Sequence, residues 1–244
     1  MTKPLDGRIT LVTGASRGIG YAAAKALAAA GSHVIAVART QGGLESLDDE
    51  IKALGGTCSL VPMDLRDFDQ IDRLGGLLND RYGRLDGLLC NAGVLGDITP
   101  ANHVTPKDWM RIIDVNMTAP YRLIRSLDPL LRVSDAGRAV FMTSSVARAP
   151  RAYWAAYAAS KAGMETFVRC WAEEIADITK IRVNLLNPGG TDTQMRAKAM
   201  PGEDKSTLPT PYDVAPLIAE MLGPDYTAHD TLVSYRDWAK AQAE

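Results

Sequence analysis

The chain has 244 residues, 46% of them apolar and 23% charged, with 27 lysines and arginines against 29 aspartates and glutamates. That length suits one large domain, residues 1–244, with a sizeable core. The mixed charges, net −2, exclude a basic field for a phosphate backbone, so nucleic acid is not an expected partner.

Short apolar runs alternate with longer helical patterns. The first run, Arg8–Thr13, passes through Gly14-Ala15-Ser16-Arg17-Gly18-Ile19-Gly20 into an alanine-rich helical pattern, Gly18–Ala30. Such a turn aims backbone N–H groups and a helix dipole at a pyrophosphate, Gly14 permitting the tight turn and Gly18 and Gly20 the close approach. The second strand, His33–Ala38, ends in Arg39-Thr40. An acidic residue there accepts from a free ribose 2′-hydroxyl, whereas a cation accommodates a 2′-phosphate. Arg39, with Arg17 as a second cation and no competing carboxylate, favours NADP(H) over NAD(H).

A helix over Leu44–Leu54, a strand Cys58–Met63, a helix Phe68–Tyr82 and a strand Gly87–Cys90 follow. After them come a helix Pro106–Leu131, a strand Arg138–Thr143, a helix Tyr153–Ile178 and a strand Ile181–Leu186. Gly31, Gly55 and Gly83 are plausible helix stops. The order predicts an α/β fold of Rossmann type, a doubly wound parallel sheet with helices on both faces. The stretch 187–210, rich in Gly, Pro, Thr and Met, leaves the sixth strand where ligands of such sheets bind and reads as a substrate lid.

The glycine spacing G-x-x-x-G-x-G differs from the usual dinucleotide fingerprint and resembles that of the short-chain dehydrogenase/reductase family. The resemblance continues through Cys90-Asn91-Ala92-Gly93, Asn116, Ser144-Ser145, Tyr157-x-x-x-Lys161 and Asn187-Pro188-Gly189, over about residues 8–195. The wording of 91–99 and 187–195 is similar to a bacterial YciK-like branch. The resemblance implies that Ser16, Arg17 and Ile19 join the glycines at the cofactor, with Asp64 and Leu65 at its adenine and Asn91, Ala92 and Gly93 along its length. It also implies that Pro188, Gly189, Thr191 and Thr193 meet the nicotinamide carboxamide or the pyrophosphate.

A carbonyl that accepts hydride must also gain a proton, and a tyrosine of ordinary pKa near 10 is reluctant to cycle one at pH 7. Lys161 lies one helical turn after Tyr157 on the same face, where its charge is expected to lower the phenol pKa. By the resemblance, this lysine also holds ribose hydroxyls, and Asn116 holds a water in a proton relay leading to it. Tyr21-x-x-x-Lys25 has the same spacing but lies beneath the glycine turn with no serine upstream, and reads as packing. For the serine that polarises the carbonyl, two criteria conflict. Ser144 stands at the commoner family distance from Tyr157, whereas Ser145-Val146-Ala147 matches the family's local pattern; Ser145 is taken, with Ser144 left open. His33, His103 and His229 lie far from it in sequence, so a hydrolase triad lacks an obvious base.

Cys58, Cys90 and Cys170 lie far apart in small or apolar runs typical of buried thiols, with no disulfide framework and no metal spacing. The first apolar run is too short for a secretory signal and no stretch approaches a membrane span, so the cytoplasm is expected. The segment Thr227–Tyr235 lacks the family's glycine-rich ending, which argues against a tetramer, while the helix with Trp154, Phe167 and Trp171 would supply a homodimer contact. Arg148 and Arg151 at the pocket rim would favour an acidic substrate. Together these features describe an NADP(H)-dependent oxidoreductase that interconverts a carbonyl and a secondary alcohol on a small molecule, an acyl-thioester ketone being a second substrate class. A non-catalytic NADP(H)-binding sensor on the same fold is the alternative.

Overall fold

Seven strands form one sheet in a computed structural model that describes residues 3–242. They are β1 (Ile9–Thr13), β2 (His33–Ala38), β3 (Thr57–Pro62), β4 (Gly87–Cys90), β5 (Arg138–Met142), β6 (Arg182–Asn187) and β7 (Thr231–Ser234). Their order is β3-β2-β1-β4-β5-β6-β7, and every pairing is parallel. Parallel strands need crossover connections, and the helices that supply them cover both faces.

Successive strand residues therefore feed two different cores. Leu11, Ile35 and Phe141 belong to one, beneath α3 (Phe68–Tyr82), a helix α5 (Ala119–Val133) and α6 (Ala155–Ile175). Val12, Ala36 and Val140 belong to the other, beneath α1 (Gly18–Ala29), α2 (Gln41–Ala53) and α8 (Pro211–Met221). This two-sided burial is why the strands read as unbroken apolar runs rather than alternating ones. Phe141 is fully buried and meets Trp171 edge to face at 6.2 Å between ring centres. Trp171 is thus core, whereas Phe167 is exposed beside Tyr121 on the outer surface of α5 and α6.

Several boundaries differ from the sequence expectation for identifiable reasons. The pattern Pro106–Leu131 divides into α4 (Pro106–Ile113), a π-helical turn Asp114–Thr118, and α5. A π turn inserts one residue without ending the helix, so the apolar periodicity runs across it. The helix expected from Tyr153 starts at Ala155, because Tyr153 takes φ 73°, outside helical space. α2 begins at Gln41, its Gly43 packing so tightly on Ser16 that a Cβ there would come within 2.8 Å. The short edge strand β7 adds a seventh strand to the expected six, followed by α9 (Tyr235–Ala241). Of the cysteines only Cys90 is buried; Cys58 is half-buried and Cys170 lies on the exposed face of α6.

Chain direction across the sheet reverses between β1 and β4, and the carboxyl ends of these strands open into a crevice. No helix among the described residues is long and apolar enough to cross a membrane.

Candidate active site

A cavity of about 800 Å3 occupies that crevice, a size within the range of small-molecule and cofactor sites. Its floor is the glycine turn. Gly14 stands at φ 68°, a conformation that side-chain-bearing residues rarely adopt, and a Cβ there would lie 2.9 Å from Asn91 Nδ2. Asn91 explains the crowding: its Nδ2 donates to Thr13 O at 2.9 Å, and its backbone N–H donates to Thr13 Oγ1 at 3.0 Å. The ends of β1 and β4 are thereby pinned together, so Asn91 shapes the turn as well as lining the cavity. Gly20 lies buried just inside α1, behind the cavity wall. At the N-terminus of α1, Arg17 supplies no side-chain cap and the first turn carries no acidic residue. Its free N–H groups sit where Ser16, Gly18 and Ile19 line the cavity, a natural seat for an anion.

At the end of β2, Arg39 is exposed and lines the same cavity with Asp64 and Leu65. Asp64 does not compete for Arg39 with both oxygens free. Arg66 grips it from Nη2 at 2.7 Å and Nε at 3.2 Å, and this bonding, with a smaller pull from Arg39, holds the carboxyl below its ordinary range. Among the described residues, the Arg39 guanidinium has no hydrogen-bonded acid. Arg17 reaches the other way, donating to Gln194 Oε1 at 2.7 Å.

Tyr157 and Lys161 rise from the first turns of α6 into the cavity, both buried. Burial pushes the Tyr157 phenol up to about 12, the Ser144 hydroxyl acting in the opposite sense. The lowering expected from Lys161 is not seen: burial sets the direction and only Ser144 acts against it. Burial also brings the Lys161 ammonium down to about 8, against Cys90 and Glu165, while Nζ donates to Met142 O at 2.8 Å. Of the two serines, Ser144 lies beside the phenol. It has an extended backbone, φ −152°, and caps the 3-10 turn Ser145–Ala147, its hydroxyl accepting from Val146 N–H. Ser145, the serine taken from the sequence, begins that turn and is exposed to solvent, so the geometry puts Ser144 and not Ser145 next to the phenol.

Asn116 sits in the π turn, wholly buried. Its Oδ1 accepts from Val94 N–H at 2.8 Å, and its Nδ2 donates to Val94 O at 2.9 Å and to Ser160 Oγ at 3.0 Å. The amide thus fastens the loop after β4 to α6, and it lies behind Gly93 rather than on the cavity surface.

A family model described as short chain dehydrogenase matches residues 8–204. The chain belongs to the short chain dehydrogenase family. It is 42% identical over 224 residues to the uncharacterized oxidoreductase YciK of Escherichia coli (strain K12), covering 91% of this chain and 88% of that one. A Shigella flexneri 2a str. 301 protein solved in complex with NADP superposes with a TM-score of 0.92 at 39% identity, covering 97% of this chain and 100% of its own. An Escherichia coli CFT073 protein solved with NADPH gives 0.90 at 38% identity, covering 97% and 99%. This chain is accordingly a short chain dehydrogenase/reductase, an oxidoreductase on a Rossmann-type sheet.

In this short chain dehydrogenase the stretch expected as a lid carries a short helix, α7 (Gln194–Ala199), capped by Thr193, whose hydroxyl accepts from Arg196 N–H at 3.1 Å. Pro188 and Thr193 line the cavity, whereas Gly189 is exposed. Thr191 is buried and donates to Pro188 O at 3.2 Å, which stiffens the turn instead of presenting a hydroxyl. Sequence reading passes over Lys198, which pairs with Asp97 at 2.8 Å across the cavity mouth, and over Arg66 and Gln194. Their partners are distant or in irregular loops, and no spacing signals them. Trp154 is half-buried and meets the Tyr157 ring edge to face at 6.0 Å. Arg148, expected at the rim for an acidic substrate, is committed to Glu165 through two hydrogen bonds.

Proposed function

We propose that this oxidoreductase binds NADP(H) and interconverts a carbonyl and a secondary alcohol, with Tyr157 moving the proton. The observation that carries the reading is the convergence of a buried phenol and a lysine on one wall of the cavity that the glycine turn floors, with the Ser144 hydroxyl beside the phenol. When bound, NADPH supplies the hydride to the carbonyl carbon. Tyr157 donates its phenolic proton to the carbonyl oxygen, and Ser144, in place of Ser145, orients and polarises that oxygen. A phenol held near 12 remains protonated at neutral pH, which suits donation and favours reduction; in the oxidative direction it would first have to lose that proton against burial. Lys161 serves as the fixed positive charge beside the ribose, and Asn116 keeps the loop carrying Gly93 in register with α6.

The residues fit the cofactor on structural grounds. The uncapped start of α1 provides N–H donors for a pyrophosphate, and Arg39 is an exposed cation at the end of β2 for a 2′-phosphate. That relatives of similar fold were solved with NADP and NADPH supports the same choice. Arg39→Ala is expected to weaken NADPH roughly 10- to 100-fold while leaving NADH within about twofold, since only the former carries the phosphate. Fluorescence titration of both nucleotides tests this, and equal weakening of the two would remove Arg39 from phosphate recognition.

Ser144→Ala is expected to lower the turnover number for carbonyl reduction about 100-fold, with Ser145→Ala near the parent rate. Steady-state rates of the two variants decide between them, and the reverse order would restore Ser145 to the site.

A further inference from the structure

Glu165 is a buried acid that the reaction as described does not use. It lies on α6 one turn beyond Lys161 and two beyond Tyr157, with 5% of its surface exposed. Arg148 Nη2 and Nε donate to its two oxygens at 2.9 and 3.0 Å, and the Thr143 hydroxyl donates to the first of these oxygens. Thr143 immediately precedes Ser144, and Arg148 closes the 3-10 turn that follows it. A single carboxylate thus clips both ends of the serine-bearing segment to the helix that carries the tyrosine and lysine. Stability alone does not call for this, because the Arg148 side chain is 46% exposed and an ion pair open to solvent on one side contributes little.

We infer that Glu165 is a positioning residue for Lys161 and Ser144: its carboxylate keeps the buried ammonium charged and fixes the serine segment against α6. The inference rests on the roles proposed above for those two residues. The groups around the ammonium leave few other sources of negative charge. From β4 comes Cys90, whose thiol burial keeps protonated; from the π turn, the neutral amide of Asn116; from α6 itself, the protonated Tyr157 phenol; and from the end of β5, the Met142 carbonyl. Arg148 is bound to Glu165 on the far side.

The test reads Lys161 directly and needs no substrate. In protein labelled with 13C-lysine, the Lys161 resonance is identified by its disappearance in Lys161→Arg, then titrated with pH in the parent, Glu165→Gln and Glu165→Asp. Removing the charge is expected to move the Lys161 midpoint down by about half a pH unit or more, with Glu165→Asp returning it towards the parent. An unchanged midpoint overturns the inference. So does an upward move towards ordinary lysine, the sign of a loosened, hydrated site in which Glu165 only held the fold. Should Glu165→Gln fail to fold, Glu165→Gln with Arg148→Gln replaces the ion pair by an amide pair, and the same downward move is expected. NADPH oxidation by Tyr157→Phe separates the two levels: retained turnover overturns the proposed reaction and this inference with it, whereas lost turnover beside an unmoved Lys161 overturns the inference alone.

Discussion

Tyr157→Phe is expected to bind NADPH like the parent and to reduce carbonyls about 1,000-fold more slowly, a barrier increase of about 4 kcal/mol. The substitution removes only the hydroxyl. The ring keeps its edge-to-face contact with Trp154 and its packing with Leu95 and Val146, so thermal stability should change little. What disappears is a proton donor that burial holds near 12 beside a hydroxyl that aligns it. The same values set the pH profile of the parent. The phenol stays protonated well above neutrality, so the alkaline limb belongs to Lys161: its ammonium is present below about 8 and lost above it. Reduction should be level between roughly pH 6 and 7.5 and decline beyond. Single-turnover NADPH oxidation at 340 nm across that range measures both features, and an alkaline limb above pH 10 would assign the decline to another group.

Gly20→Ala is expected to lower the melting temperature by about 10 °C and to weaken NADPH at least about 100-fold. On helix propensity alone the substitution stabilises, by up to about 1 kcal/mol. Space decides otherwise. A Cβ at Gly20 would stand 2.4 Å from Gly14 O, a backbone atom, and 2.4 Å from Asn91 Nδ2. Neither is free to move: Asn91 is bonded to Thr13 O, and Gly14 lies in the left-handed region. Overpacking of this kind costs about 3 kcal/mol, which for a chain this size corresponds to a shift of that order. Relief has to come from the turn itself, which is why binding suffers along with stability. Calorimetry and nucleotide titration on the variant measure the two effects, and parent-like values for both would mean that the turn is looser than its contacts imply.

Local signals made much of this readable in advance. The glycine turn, the cation at the end of β2 and the tyrosine–lysine pair each depend on short-range geometry, a turn, a strand end or one helical period, and the structure brings Gly14, Arg39, Tyr157 and Lys161 to a single cavity. The choice of serine was not local in that sense. It turns on which residue is extended and which opens the 3-10 turn, a difference of one position that sends Ser144 towards the phenol and Ser145 into solvent. The π turn escapes periodicity because it shifts the register by one residue within otherwise helical chain. Arg148 shows another kind of limit: as a loop arginine it reads as a rim cation for an acidic substrate, and only the fold brings it to Glu165. Glu165 itself carried a usable signal, standing four residues after Lys161 and eight after Tyr157 on one helical face, but a carboxylate at that spacing has no meaning until the burial of that face is known.

The most direct test of the central claim is NADPH and NADH consumption by the parent protein over a panel of ketones, aldehydes and diketones, followed at 340 nm at pH 7. The account predicts reduction of at least one panel member with NADPH and a clear preference for it over NADH. Tight NADPH binding with no consumption on any member, or a preference for NADH, would contradict it.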